Sequence, residues 1–492
     1  MLKKAIVIGA GFSGLSAAAC LAQKGFTVQL IEKNSYAGGR AHQRTIGGFN
    51  FDMGPSFYWM PEVFENFYNR FGHTASDFYT LKKLDPSYRV QFSNYEYIDM
   101  PSGIEQVIKL FESIEPGCAH KLTKFFKDAE YKYKIGMGEF VHKPSLSVFE
   151  FVDLRVLSSL FRMQLFTSIS KEIRKTVTHP RLRQLLEFPV LFLGAKPADT
   201  PALYSLMNYA DIALGTWYPM GGMVKVVEAM KKICDEQGVQ FLFNSPVEKI
   251  VIKDNIATGV IAGGEEHYAH VVVSSADYHH TEQALLSPEY RTYNSSYWNK
   301  RKMAPSCLMY YLGISKKLVN LLHHTLFFDE DFDRHASEIY DHPVWPSAPL
   351  FYTSCTSITD EMSAPRGCEN LVILIPVAAG LKDDSRIREK YFNVVIDRME
   401  KLTNQSIREH IAVKYSFAYD DFVSEYNSFK GNAYGLANTL MQTAFLKPSM
   451  KSRKINNLYF AGQLTVPGPG VPPSIISGQV VAELIDKEYK YL

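Results

Sequence analysis

Read for its hydrophobic and polar positions, the chain opens with an apolar run, Ala5 to Ile8, then three spaced glycines and the small-residue segment LSAAACLAQKG. The β-branched run predicts a strand, and the segment after Gly14 predicts a helix packed against it. After Gly25 the run FTVQLIE predicts the next parallel strand, ending at Glu32. Towards the other end, Leu458 to Phe460 reads as a short strand. A Gly/Pro loop follows, then a helix from about Pro473 with the apolar face Ile475, Ile476, Val480 and Leu484. Proline suits a first helical turn, where its missing N–H has no partner anyway. Mid-chain, a helix is predicted from about Met223 to Gln237 with strands after it. The stretch VVVSSADYHH reads as a strand end, with Asp277 placed to hold the connection.

The glycines give the first strand and helix a chemistry. Gly9, Gly11 and Gly14 form G-x-G-x-x-G between strand and helix, the arrangement that binds a dinucleotide. Gly9 takes turn dihedrals closed to other residues, Gly11 lets a pyrophosphate approach the backbone, and Gly14 lets helix and strand pack closely. Phosphates then sit on the positive end of the helix dipole, beside Phe12 and Ser13. Glu32 can accept hydrogen bonds from a ribose, with Lys33 next to it. Residues 5–23 carry no charge and follow Lys3 and Lys4, so they also pass for a secretory signal. Removing them discards the whole unit, and that reading is rejected. Just beyond Glu32, Gly38, Gly39 and Arg40 make a second glycine turn that brings a fixed charge towards the same pyrophosphate.

Composition adds bounds. With 492 residues, 46% of them hydrophobic, the chain is globular and long enough for two or three domains' worth of core. Lysine plus arginine total 53 against 51 acidic residues, a balance that gives no reason to expect nucleic acid. Six cysteines without a CxxC pair or metal spacing fit a reducing cytosol, and no metal site is expected.

The segment EKNSYAGGRAHQ resembles the E-x-x-x-x-x-G-G-R extension of the FAD-containing amine oxidase and carotenoid desaturase superfamily. Together with FNFDMGPSFYWMPEVFENFYNRFG, GTWYPMGGM and PGPGVPPSIISG it looks like the bacterial-type phytoene desaturases, over most of the chain. The resemblance implies an α/β fold with a Rossmann-like FAD-binding domain assembled from residues 1–74, 214–291 and 451–492. An α+β substrate-binding domain then comprises 75–213 and 292–450, with a helical, membrane-associating region. It implies FAD held also by Gly54, Pro55 and Ser56, by Val247 beside the adenine, and by Gly462, Gln463, Gly470, Val471 and Pro472 near the flavin ring. There the last helix points its N-terminus at the ring and stabilises negative charge on the reduced cofactor. One departure is Pro473, which stands where many members have glycine. The implied reaction is four dehydrogenations of the C40 polyene phytoene to an all-trans lycopene-type product, with oxygen or a quinone taking the electrons. Relatives acting on hydroxylated carotenoids share the scaffold, so a later substrate stays open. By loose resemblance to an acid and an arginine of the family, Asp153 and Arg155 are the catalytic candidates; a solvated ion pair is their other reading.

The residues themselves are compatible with this. Taking hydrogen from unactivated hydrocarbon requires an acceptor such as a flavin and a site that excludes water. Phe57, Tyr58, Trp59 and Met60, then Val63, Phe64, Phe67, Tyr68 and Phe71 at helical spacing, suit either a tunnel wall or plain core. Residues 145–175 are apolar but interrupted by Glu150, Asp153, Arg155 and Arg162, too charged to span a bilayer. They suit either interfacial docking, which lets a water-insoluble substrate enter, or a core helix pair. The expected location is the cytoplasm, at the inner face of the cell membrane. Two other functions compete: an amine or porphyrinogen oxidase, with a polar cradle around the ring, and a prenyl-protein escort, which would lack the phosphate glycines.

Overall fold

The computed structural model describes residues 3–489 apart from 148–149, 151–162, 165–166 and 192–193. The opening pattern folds as β1 (Lys4–Ile8), α1 (Phe12–Gln23) and β2 (Thr27–Ile31). Further on come α2 (Val224–Glu236), β3 (Gln240–Leu242), β4 (Val271–Ser274), β5 (Leu458–Phe460) and α3 (Val471–Tyr489). The five strands form one parallel sheet in the order β5, β4, β1, β2, β3. Polar and apolar residues do not alternate along β1, because both sheet faces are covered and Ala5 to Ile8 are all buried. Three distant stretches of chain are thus hydrogen-bonded into one Rossmann-like layer, the α/β arrangement expected. An antiparallel sheet of Val247–Lys253, Ile256–Ala262 and Glu265–Tyr268 covers part of one face.

The second layer system is a seven-stranded, mainly antiparallel sheet. One of its inner strands, Ser306–Ile314, pairs with Glu369–Val377 through nine residue pairs. All nine residues of that inner strand are buried, which is why it reads as a nearly continuous apolar run. The helix Ser385–Thr403 packs Tyr391, Val395, Ile396 and Met399 on it.

The helix predicted from Pro473 starts two residues earlier, at Val471. Asp277 does hold its connection: its carboxylate accepts from the amides of His280 (3.1 Å) and Phe429 (3.1 Å). In the candidate docking segment 145–175, Asp153 and Arg155 lie outside the described residues. Its final helix, Ile169–Thr176, buries Ile169 and Ile173 in the core, so the apolar face there is not available to a bilayer. No helix among the described residues is long and apolar enough to cross a membrane.

Candidate active site

A cavity of about 1010 Å³ runs from the glycine turn after β1 into an apolar interior. Gly9, Gly11, Phe12, Ser13, Glu32, Lys33, Gly38, Gly39, Arg40, Gly54, Pro55, Ser56, Val247, Gly462, Gln463, Gly470, Val471 and Pro472 all line it. Of the cofactor residues expected from the sequence, only Gly14 does not. A Cβ at Gly14 would lie 1.9 Å from the Gly9 carbonyl oxygen, so this glycine serves the packing of α1 against the turn. A Cβ at Gly11 would meet nothing within 4 Å, which leaves an open approach to the backbone at the start of α1. Gly9 itself has φ +95°, a conformation that side chains resist.

The polar groups around this end are arranged for a dinucleotide. Glu32 is buried, and its carboxylate accepts from the amides of Ala10 (2.7 Å) and Asn34 (2.9 Å), which fixes it at the end of β2. Burial raises its pKa, while those two amides pull it down. Arg40 donates to Ser428 Oγ (2.7 Å) and the Asn432 carbonyl (3.3 Å), and its guanidinium lies 5.1 Å from the Tyr426 ring centroid. Burial lowers its pKa, with Asp277 opposing. Its Nε is buried with no hydrogen-bond partner among the described residues. A buried cation with a spare donor, beside an open glycine turn at a helix N-terminus, fits a pyrophosphate. The residues present therefore fit FAD. A Cβ at Gly54 would lie 2.2 Å from the Arg40 carbonyl oxygen, so the second glycine motif holds the arginine's own backbone close.

Tyr426, Ser428 and Asn432 had no signal in the sequence. They are polar residues at and beyond a helix end, and only the fold brings them to Arg40. Ser56 was expected, but its partner was not: the Tyr352 hydroxyl bonds Ser56 Oγ at 2.8 Å, and His324 Nδ1 lies 2.6 Å from that same hydroxyl. Lys447 is likewise unforeseen. Its ammonium is buried behind Gly468 and donates to the Pro467 carbonyl (3.1 Å), and burial pushes its pKa down to about 7.

Beyond Ser56 the wall turns apolar, with Phe57, Trp59, Met60, Met137, Phe188 and Phe328 among its residues. Tyr58, Val63, Phe64, Phe67 and Tyr68 are buried core instead, and Phe71 packs against that core, so the aromatic stretch divides between tunnel wall and interior. The acids that line the cavity, Glu32, Asp277 and Glu425, all lie at the glycine end among the described residues. Trp59 is anchored from behind: its Nε1 donates to Thr216 Oγ1 (2.8 Å), whose hydroxyl donates in turn to Asp211 (3.3 Å). Tyr88 also donates to Asp211 (2.8 Å), and burial raises that carboxyl's pKa to about 7.

Residues 12–486 match the family model for the flavin containing amine oxidoreductases. A carotenoid 3,4-desaturase from Haloarcula japonica is 38% identical over 97% of this chain and 97% of its own. A zeta-carotene-forming phytoene desaturase from Myxococcus xanthus is 31% identical over 98% of this chain and 93% of its own. Among solved structures, an oxidoreductase from Methanosarcina mazei shares the fold with a TM-score of 0.66 at 16% identity, covering 98% of this chain and 100% of its own. Cyclohexylamine oxidase from Brevibacterium oxydans IH-35A does so with a TM-score of 0.59 at 13% identity, covering all of both chains.

Proposed function

We propose, from the premise that this chain belongs to the flavin containing amine oxidoreductase family and is an FAD-dependent carotenoid desaturase within it, that it dehydrogenates an acyclic C40 polyene, taking phytoene stepwise to an all-trans lycopene-type product. The observation that carries this reading is the cavity that joins a dinucleotide cradle to an apolar wall, free of acids among the described residues. A polyene offers no polar handle and is held by contact area, which Phe57, Trp59, Phe188 and Phe328 supply. A carboxylate to pair an ammonium substrate is not found at the inner end among the described residues of the wall.

The eighteen lining residues named above are assigned to FAD, with Gly14 supporting their turn. When bound, FAD supplies the hydride acceptor that removal of hydrogen from hydrocarbon requires. The chain's part is to exclude water with the apolar wall, to set the polyene against Ser56 and Phe57, and to hold charge at the cofactor end through Arg40. Asp153 and Arg155 are retained as candidate acid and cation. The division into an FAD-binding unit (1–74, 214–291, 451–492) and a substrate unit (75–213, 292–450) is part of the same proposal. So are oxygen or a quinone as electron acceptor and a cytoplasmic position on the inner membrane face.

The identity to the Haloarcula japonica enzyme favours a second reading, desaturation of a later or hydroxylated acyclic carotenoid at its 3,4 bond. Expression with a phytoene supply, followed by chromatography of the pigments, tests both. New, more unsaturated pigments from phytoene support the first. Unchanged phytoene with conversion of a supplied later carotenoid supports the second, and no conversion of either refutes the function.

A further inference from the structure

We infer that the protein docks on a bilayer carrying anionic headgroups through the loop 439–446 and the cations beside it, where the cavity reaches the surface. This rests on the polyene reading above, since a water-insoluble substrate makes the cavity mouth the place where contact with lipid matters.

Two independent features meet there. The first is apolar exposure: Met441 is 73% exposed, Phe445 42% and Leu446 37%. Phe445 and Leu446 also line the cavity, so the same side chains face both the tunnel and the outside. Large exposed apolar side chains grouped on one loop cost solvation in water and gain it back in the acyl boundary of a bilayer. The second feature is charge. Lys171, Lys300, Arg301 and Lys302 line a surface cleft of about 700 Å³ that also contains Met441 and Leu446. Among the described residues none of the four pairs with a carboxylate, and the cleft's one acid, Asp199, lies 3.8 Å from Lys196 instead. Unneutralised cations ringing an apolar tip complement an anionic lipid surface.

The two features are one rigid unit. The Gln442 side chain accepts from the Lys302 amide (2.9 Å) and donates to the Lys302 carbonyl (2.8 Å) and the Ala437 carbonyl (3.1 Å). Tyr204 and Thr443 hydroxyls bond at 3.0 Å across the loop's inner side. The loop therefore presents its apolar residues at a fixed height relative to the cations. The helix Ile169–Thr176, part of the segment 145–175, contributes through exposed Lys171, while its apolar side stays in the core.

The experiment uses the FAD-loaded full-length protein and sedimenting vesicles of phosphatidylcholine, alone or with about one-third phosphatidylglycerol, at low salt and at about 0.5 M salt. The expected result is binding to the anionic vesicles at low salt, release at high salt and weak binding to the neutral ones. K300E/K302E lowers partitioning to anionic vesicles at low salt at least about tenfold, and M441E lowers it there and also removes the weak binding to neutral vesicles. Both variants desaturate a detergent-delivered polyene as the wild type does. Binding that ignores lipid charge and both variants overturns the inference, as does pelleting without vesicles, which would mark this face as a contact between copies. If the wild type binds anionic vesicles but converts no polyene from detergent, the docking stands and the desaturase reading falls. Conversion without vesicle binding does the reverse.

Discussion

The Ser16 hydroxyl donates to the Ile475 carbonyl at 2.7 Å, across 459 positions of the chain. That bond ties the first helix to the last. Close beside it, a Cβ built on Gly478 would fall 2.4 Å from the Ser13 carbonyl oxygen and 2.6 Å from Ser16 Cβ. The two helices can approach because Gly478 has no side chain. G478V is therefore expected to destabilise by about 1–3 kcal/mol through overpacking and to lose FAD, because α1 and α3 both begin at the cavity. Thermal melting and the flavin absorbance of the purified variant check this.

Arg40 makes hydrogen bonds to Ser428 and Asn432, and its buried Nε has no partner among the described residues. Loss of a charge-assisted contact of this kind weakens binding by about tenfold to a hundredfold, so R40A should retain little FAD. R40K should recover part of it, since lysine supplies the charge without the fork. Titration of the apoprotein with FAD, followed by flavin fluorescence, measures both.

Asp211 is buried among neutral donors, Tyr88 and Thr216, and its carboxyl is raised to about 7. A carboxyl in the unfolded chain titrates near about 3.9, so the protonated form is the one the fold prefers. Its contribution is present in full below that unfolded value and is lost as pH rises through about 7. D211N, which stays neutral, should match the wild type only below about pH 3.9 and melt increasingly higher than it as pH rises through about 7 to 8. Melting curves across that range decide it, and Trp59 fluorescence should follow, since Thr216 links the two residues.

Phe57 and Trp59 belong to the apolar wall, away from the phosphate cradle. Removing one large aromatic contact costs about 1.5–3 kcal/mol of apolar burial. F57A should therefore raise the KM for the polyene about tenfold or more while leaving the flavin spectrum unchanged. A fall in flavin content instead would place Phe57 in the cofactor site.

The sequence made the cofactor end legible because its signals are local. A β-branched run, spaced glycines and an acid occur in order, and each needs only its neighbours to be interpreted. The same holds for Leu458–Phe460, whose bounds match the strand found. Gln240–Leu242 is too short to stand out, and it becomes a strand only because β2 offers an edge. The Tyr426, Ser428 and Asn432 cradle, the Tyr352 to Ser56 contact and buried Lys447 depend on tertiary approach and have no periodicity to betray them. The aromatic stretch after Gly54 was ambiguous for a physical reason, since a tunnel wall and a core ask for the same side chains. Its division at Trp59 and Met60 is set by the left-handed turn at Met60 (φ 58°), which starts the helix Pro61–Asn69 and sends its aromatics inward.

The most direct test of the central claim is an anaerobic single turnover. The purified FAD-loaded protein is mixed with acyclic C40 polyenes, from phytoene upward, in detergent, and the visible flavin band is followed alongside the pigment. The account predicts that the band bleaches in step with one new double bond per flavin. Bleaching by an amine, with every polyene left unchanged, would contradict it.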